Sequence, residues 1–272
     1  YYSNNKELKK KIKKINFLID NTNKNKKKKD KDKNKIPDNN NLIEKKNYFK
    51  YVRWYQKYNW CFSSNNFLII SGKTAQQNEE IVKKYLDNND IYIHSDVHGS
   101  GSCIIKNTNK TLPPPSTIEE ACSFVICHTR CWNSGSPDNA WWVYAHQVSK
   151  TPPTGEYVST GSFIINGKKN YIKNTKLELG FGILFKNKSD DNLSVSSNDS
   201  LQYSVPVCAP YKSLHKYKYK VKIIPGNNKI GKTIKLIINK IINECNELEK
   251  KSIKTIPDDY LHKVMRNKIK LI

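Results

Sequence analysis

Between Trp60 and Phe185 the apolar residues come in short runs broken by Gly, Pro, Asn and Ser, and two stretches among them repeat at helical spacing. That alternation describes an α+β domain. Trp60–Ser63 and Phe67–Ser71 flank Ser64-Asn65-Asn66, a hairpin signal. Thr74 can cap a helix through Leu86, with glutamates early and lysines late as the helix dipole prefers. Ile91–Val97 reads as a strand that breaks at Gly99 and Gly101 and resumes over Cys103–Lys106. Ser116 followed by Glu119 spells a capping box for a mostly apolar helix reaching about Trp132. Trp141–Val148 and Leu177–Phe185 read as further strands. Phe163–Ile165, Asn166-Gly167 and Asn170–Ile172 make the clearest hairpin of the chain. The expectation is an α+β fold over residues 48–188, a mixed sheet with two principal helices.

The flanks read differently. Leu8, Ile12, Ile15 and Ile19 place a helix in residues 1–20, as at the end of a coiled coil. Residues 21–47 are Lys, Asn and Asp with little to bury, the composition of a disordered linker. Residues 189–200 form a polar linker. Tyr217–Ile223 alternates as a half-exposed strand, Pro225-Gly226 turns, and Ile230–Leu248 repeats at helical spacing. These predict a small basic C-terminal α/β module over residues 201–245, followed by a basic tail at 246–272. The first residue is Tyr1, and the chain is read as a piece of a longer protein.

Charge narrows the function. The 272 residues carry 48 Lys and Arg against 24 Asp and Glu, a net +24. The surplus is +10 over residues 1–47, +6 over 48–189 and +8 over 190–272, so the foldable middle is positive on its own. Such a surplus suits a polyanion, which releases counterions when lysines neutralise it. An anionic membrane surface is the other polyanion, but no apolar run reaches the roughly 18 residues that span a bilayer. Seven cysteines, an odd number without framework spacing, suit a reducing, cytoplasmic compartment.

Three segments offer chemistry. His94, Asp96 and His98 at i, i+2 and i+4 share a face if the strand continues through them. They read as a partial metal-ligand set, as an RNA contact, or as a polar strand end bonded to the next turn. Gly99-Ser100-Gly101-Ser102 can cradle a phosphate on backbone N–H groups. The long loop Gln147–Ser162 presents Lys150 and hydroxyls at Ser149, Thr151, Thr154, Ser159 and Thr160, with Gly155 and Gly161 among them. Phosphates and 2′-hydroxyls are natural partners for such a loop, and an ordinary Pro-rich turn is the plain alternative. Cys122, Cys127, His128 and Cys131 lack a paired Cys-x2-Cys knuckle and read as a buried helix face rather than a zinc site. Trp54, Trp60, Trp141 and Trp142 read mainly as core. No nucleophile elbow or Walker loop is present in the sequence.

The same segments carry a family resemblance. Trp60, Ser63-Ser64, Gly72, Ala75-Gln76-Gln77-Asn78-Glu79, Lys83-Lys84-Tyr85-Leu86, His94-Ser95-Asp96-Val97-His98-Gly99-Ser100, Ala140-Trp141-Trp142-Val143-Tyr144 and Gln147–Gly161 resemble, in order, the NFACT-R domain. So do Gly161-Ser162-Phe163 and Gly167-Lys168-Lys169-Asn170. Pro206-Val207-Cys208-Ala209-Pro210-Tyr211, then Tyr217-Lys218-Tyr219-Lys220-Val221-Lys222, Pro225-Gly226 and Gly231-Lys232, resemble the NFACT-C module. The resemblance covers roughly residues 48–240. It implies an RNA-binding part of a ribosome-associated quality-control factor; the expectation is no enzyme, no cofactor and no metal, with a metal-dependent RNA-processing enzyme using His94, Asp96 and His98, or a protein-interaction module for a ubiquitin ligase, as the alternatives. Implied partners are large-subunit rRNA and tRNA and, through a full-length protein, a Listerin-type ubiquitin ligase. Recognition of stalled subunits carrying peptidyl-tRNA and C-terminal tailing are implied for the full-length protein. His94, Asp96, His98, Gly99, Ser100, Ser149, Lys150, Thr151, Thr154, Gly155, Lys168 and Lys169 are the expected RNA contacts.

Overall fold

Asn66 sits at φ +66°, a left-handed conformation that asparagine tolerates, and it turns the first hairpin where the sequence predicts it. The computed structural model describes residues 52–152, 157–188 and 192–272. β1 (Asn59–Phe62) pairs there with β2 (Leu68–Ser71), Phe62 opposite Leu68. α1 (Ala75–Tyr85) follows, capped by Thr74 Oγ1, which accepts from the Gln77 N–H at 3.3 Å. β3 (Ile91–Ser95), β4 (Cys103–Ile105), α2 (Pro115–Cys127), a helical turn at Cys131–Ser134 and β5 (Ala140–Tyr144) come next. Then come β6 (Val148–Ser149), β7 (Ile164–Ile165) and β8 (Asn170–Ile172). Six of these strands form one sheet in the order β1-β2-β4-β3-β5-β8. α1 and α2 both pack on it, and no residue of β4 is exposed, as expected of a strand covered on both faces.

Three local expectations fail. β7 and β8 are not each other's partners: β7 pairs with β6, while β8 pairs with β5 at the sheet edge. Gln147 captures the Asn166-Gly167 turn instead, its Nε2 donating to the carbonyls of Asn166 (2.8 Å) and Lys168 (3.3 Å). Ser116 does not cap α2, which starts on Pro114 and Pro115; its hydroxyl donates to Asn65 Oδ1 at 2.8 Å. α2 also stops at Cys127, short of Trp132, where His128 leaves helical geometry.

The second sheet centres on β9 (Leu179–Asn187). β11 (Leu201–Pro210) pairs along one edge of it, and β10 (Leu193–Ser194) and β12 (Lys220–Asn228) pair with opposite ends of it. After β12 the chain runs through α3 (Ile230–Glu244), α4 (Glu247–Lys254), α5 (Asp258–Val264) and β13 (Ile269–Leu271), which pairs with β12. Residues 246–272, expected as a tail, therefore form two helices and a strand. They bury Ile253, Ile256, Tyr260, Leu261, Met265 and Ile269. The α+β class holds, and the pairings among the described residues are antiparallel. The helix at 1–20 and the linker at 21–47 lie outside the described residues.

α2 joins the two sheets, touching β3, β4 and β5 on one side and β11 on the other. A helix so placed must be apolar nearly all round, and Ile118, Ala121, Cys122, Phe124, Val125, Ile126 and Cys127 are all buried. Its buried Glu120 accepts from the Ser64 N–H at 2.8 Å, which ties the first turn to the helix. All seven cysteines are free and buried. Burial pushes the Cys122 and Cys127 thiols up, as a helix face would rather than a metal site. Trp60, Trp132 and Trp141 are core, while Trp54 is 43% exposed and stacks on Tyr85.

Candidate nucleic-acid interface

A cleft of about 710 Å3 opens where three loops meet: the turn after β3, the start of α1, and Thr160–Phe163 with Lys169. The N–H groups of Ala75 and Gln76 begin α1 and have no intrahelical acceptor, so the positive end of the helix borders the cleft. Behind it Gly72 and Gly101 stand back to back. A Cβ on Gly101 would lie 2.4 Å from the Gly72 carbonyl oxygen, so this rim must be bare backbone. Lys73 and Lys169 flank the cleft.

β3 ends at Ser95, so Asp96 and His98 lie beyond it in a bend and a turn, and the shared strand face ends with His94. His94 is half-buried, its Nδ1 2.6 Å from the Ser95 carbonyl oxygen. That oxygen can only accept, so Nδ1 carries the proton and Nε2 keeps a lone pair. Burial lowers the His94 pKa, which favours the neutral ring. Asp96 accepts from three side-chain donors. Trp141 Nε1 (2.9 Å) and Lys169 Nζ (3.2 Å) bond Oδ1, and the Tyr171 hydroxyl (2.9 Å) bonds Oδ2. Burial alone would raise its pKa, but the bonds from Tyr171, Trp141 and Lys169 outweigh it and hold the carboxyl below its usual range. A carboxylate so engaged is a scaffold for Trp141 and Lys169. The metal-ligand set, one of the three readings that the sequence left open for His94, Asp96 and His98, finds no support in this geometry. Among the described residues no three His, Cys, Asp or Glu side chains gather as a metal would need. His98 and Gly99 are exposed at the mouth, and Ser100 is buried with its hydroxyl unpartnered.

Lys150, the expected phosphate ligand of the long loop, is a staple. Its ammonium donates to Glu79 Oε2 (2.8 Å) and to the carbonyls of Ser159 (2.7 Å) and Ser162 (3.1 Å). Glu79 also accepts from the Gly161 N–H at 2.8 Å and pairs with Lys83 at 2.8 Å. These partners, Lys150 first, hold the Glu79 pKa down to about 2. Gly161 has φ +79°, and a Cβ there would meet the Ala75 carbonyl oxygen at 2.6 Å, so the loop lies flush on the start of α1. Ser149 sits in β6, its hydroxyl accepting from the Thr151 N–H at 3.0 Å. Lys168 points to solvent outside the cleft, whereas the Lys169 ammonium lies 4.3 Å from the Trp141 ring centre. Thr154 and Gly155 fall outside the described residues. The cleft thus gathers His94, Asp96, His98, Gly99, Ser100 and Lys169, and leaves Ser149, Lys150, Thr151 and Lys168 off its walls. Thr160, one of the loop hydroxyls singled out in the sequence, lines it too, and Lys73 and Thr74 line it unforeseen; a Gly-Lys-Thr triplet ahead of a capped helix was the legible signal for those two.

The sequence matches two protein-family models in succession, the NFACT protein RNA binding domain over residues 54–167 and the NFACT protein C-terminal domain over residues 192–272. The chain belongs to the NFACT family. It is 52% identical over 135 residues to "Ribosome quality control complex subunit NEMF" of both Mus musculus and Homo sapiens. It is 37% identical over 193 residues to "Archaeal Rqc2 homolog aRqcH" of Methanocaldococcus jannaschii. The mammalian matches cover 50% of this chain but 13% and 12% of those proteins; the archaeal match covers 70% of this chain and 26% of that protein.

Proposed function

We propose that this chain grips the sugar-phosphate backbone of RNA in the cleft, as the RNA-contacting part of a ribosome-associated quality-control factor. It acts by binding, without catalysing a reaction. The cleft carries this reading. Free helix N–H groups, an unpartnered Ser100 hydroxyl and two lysines surround a bare-glycine rim, the donors that phosphate and 2′-OH oxygens require. Within the cleft the contacts are His94, His98, Gly99, Ser100, Lys73 and Lys169, with Asp96 and Lys150 holding the walls. The names of the mammalian relatives, ribosome quality control complex subunits, support the ribosome as the partner, and large-subunit rRNA is the contact proposed. Contacts with tRNA and with a Listerin-type ubiquitin ligase, recognition of stalled subunits and C-terminal tailing are proposed for the full-length protein, acting in the cytoplasm. No helix among the described residues is long and apolar enough to cross a membrane.

The test is fluorescence anisotropy of a labelled single-stranded RNA titrated with the 272-residue chain between about 50 and 200 mM salt. Affinity should fall with a log–log slope of about −0.7 per phosphate neutralised, and Lys169→Gln should flatten that slope by about one contact. Affinity that ignores salt would refute backbone binding.

A further inference from the structure

We propose that a second phosphate site lies across the Gly72–Gly101 rim from the cleft, and that the two family domains build it jointly. A pocket of about 200 Å3 there is lined by Lys73 and His128 from the first domain and by Lys263 and Arg266 from the second. None of its lining residues is acidic. Among the described residues neither the Lys73 nor the Lys263 ammonium has an acidic partner. Arg266 reaches Thr129 O with Nη2 at 3.4 Å, while its buried Nε has no partner at all. A guanidinium lodged without an anion is costly, because its desolvation is uncompensated. The pocket's field is visible on its own members. Burial and then the Lys263 charge lower the Lys73 pKa; burial, then Arg266 and Lys73, bring His128 down to about 3. An oxyanion between these groups would relieve all of them at once.

The pocket is held in register with the first domain. The indole of fully buried Trp132 donates to the Asn267 carbonyl at 2.8 Å, and β13 then returns into the second sheet. The loop bearing Arg266 is therefore clamped on the 129–132 turn rather than free to swing away. The pocket also shares Gly72, Lys73, Gly99 and Gly101 with the cleft. One nucleic-acid strand can cross the bare rim with a phosphate on either side. Taking RNA as the source of that phosphate rests on the proposed function; the pocket's preference for an oxyanion does not.

Two arms separate those claims, both on the 272-residue chain. In the first, pyrophosphate is titrated while the His128 ring resonance is followed by NMR. A saturable shift in the parent chain, absent in Lys263→Gln and in Arg266→Gln, supports the pocket, provided thermal melts show both variants folded. No shift at millimolar pyrophosphate overturns it. Lys263 is exposed, so its variant keeps the test valid should Arg266→Gln not fold. In the second arm, the salt slope of RNA binding is compared between the parent and Lys263→Gln. Loss of one single-strand phosphate contact flattens the slope by about 0.7, narrowing the affinity ratio between about 50 and 200 mM salt by roughly 2.6-fold. An unchanged slope overturns the shared-strand path. If the parent binds no RNA, the proposed function fails and the pyrophosphate arm alone decides the pocket.

Discussion

Replacing Glu79 by Gln separates a stapling Lys150 from a phosphate-binding one, because the two roles predict opposite signs. Were Lys150 an RNA ligand, removing the carboxylate would free its ammonium and add a net positive charge, and RNA binding should tighten. In the structure the carboxylate instead holds Lys150, Lys83 and the Gly161 N–H together. Its loss should release Ser159–Phe163 from α1 and weaken binding despite the gain in charge. The fall of the Glu79 pKa from about 4.5 to about 2 would convert in full to about 3 kcal/mol. The side chain is 17% exposed, so solvent screening reduces that, and about 1.5 kcal/mol is expected. For a domain of this size that is a drop of about 3–6 °C in Tm. The pH dependence has a definite sign. A carboxyl with a depressed folded pKa contributes its stability above the unfolded value, and loses it as pH falls from about 4.5 towards 2. Melting curves across that window should therefore converge for the parent and Glu79→Gln. Hydrogen exchange at residues 159–163 should rise in Glu79→Gln and in Lys150→Ala, and anisotropy should show weaker RNA binding in both. Tighter binding by Glu79→Gln, with loop protection unchanged, would refute the staple.

Further outcomes follow from other contacts. Gly161→Ala must strain a left-handed backbone and push the loop off the Ala75 carbonyl, at about 1–3 kcal/mol, read by urea denaturation and by faster exchange at the start of α1. Glu249 is fully buried and accepts from Ser197, Tyr219 and Lys218; burial alone would raise its pKa, but these donors hold it at about 2. Glu249→Ala strands those groups and should cost about 3 kcal/mol or more in urea denaturation. Because the Asp96 oxygens are already bonded, dialysis against a chelator should leave melting and RNA binding unchanged, and elemental analysis should find metal well below stoichiometric.

What the sequence made legible is what local chemistry decides. The Asn66 turn, the Thr74 cap and the apolar α2 all follow from propensities and spacing within a few residues. The Asn166-Gly167 turn was equally legible as a turn, yet the strands flanking it went to different sheets, because β6 takes β7 and β5 takes β8 while Gln147 holds the turn. A turn signal fixes a reversal of the chain, not the partner. Residues 246–272 concealed their folding for another reason. Lysines and acids dilute the apolar positions Ile253, Ile256, Tyr260, Leu261 and Met265, so the segment reads as polar even though that row is buried. The staple was illegible in principle. A lysine amid hydroxyls and glycines looks the same whether it faces phosphate or a glutamate 71 residues earlier in the chain.

Ion pairing within the fold changes what the net charge means. Of the cations in the middle of the chain, Lys57, Lys83, Lys106 and Lys150 are paired with acids and hold the fold together. Lys169 is shared between Asp96 and the Trp141 face. Among the described residues Lys73 is a cleft lysine without an acidic partner, and two of its companions in the adjoining pocket arrive from about 190 residues further along. The overall surplus thus says little about where an anion binds. Under the proposed reading, location is set by which uncompensated cations the fold brings together, and Lys73, Lys263 and Arg266 meet beside one glycine rim in a pocket that no acidic residue lines.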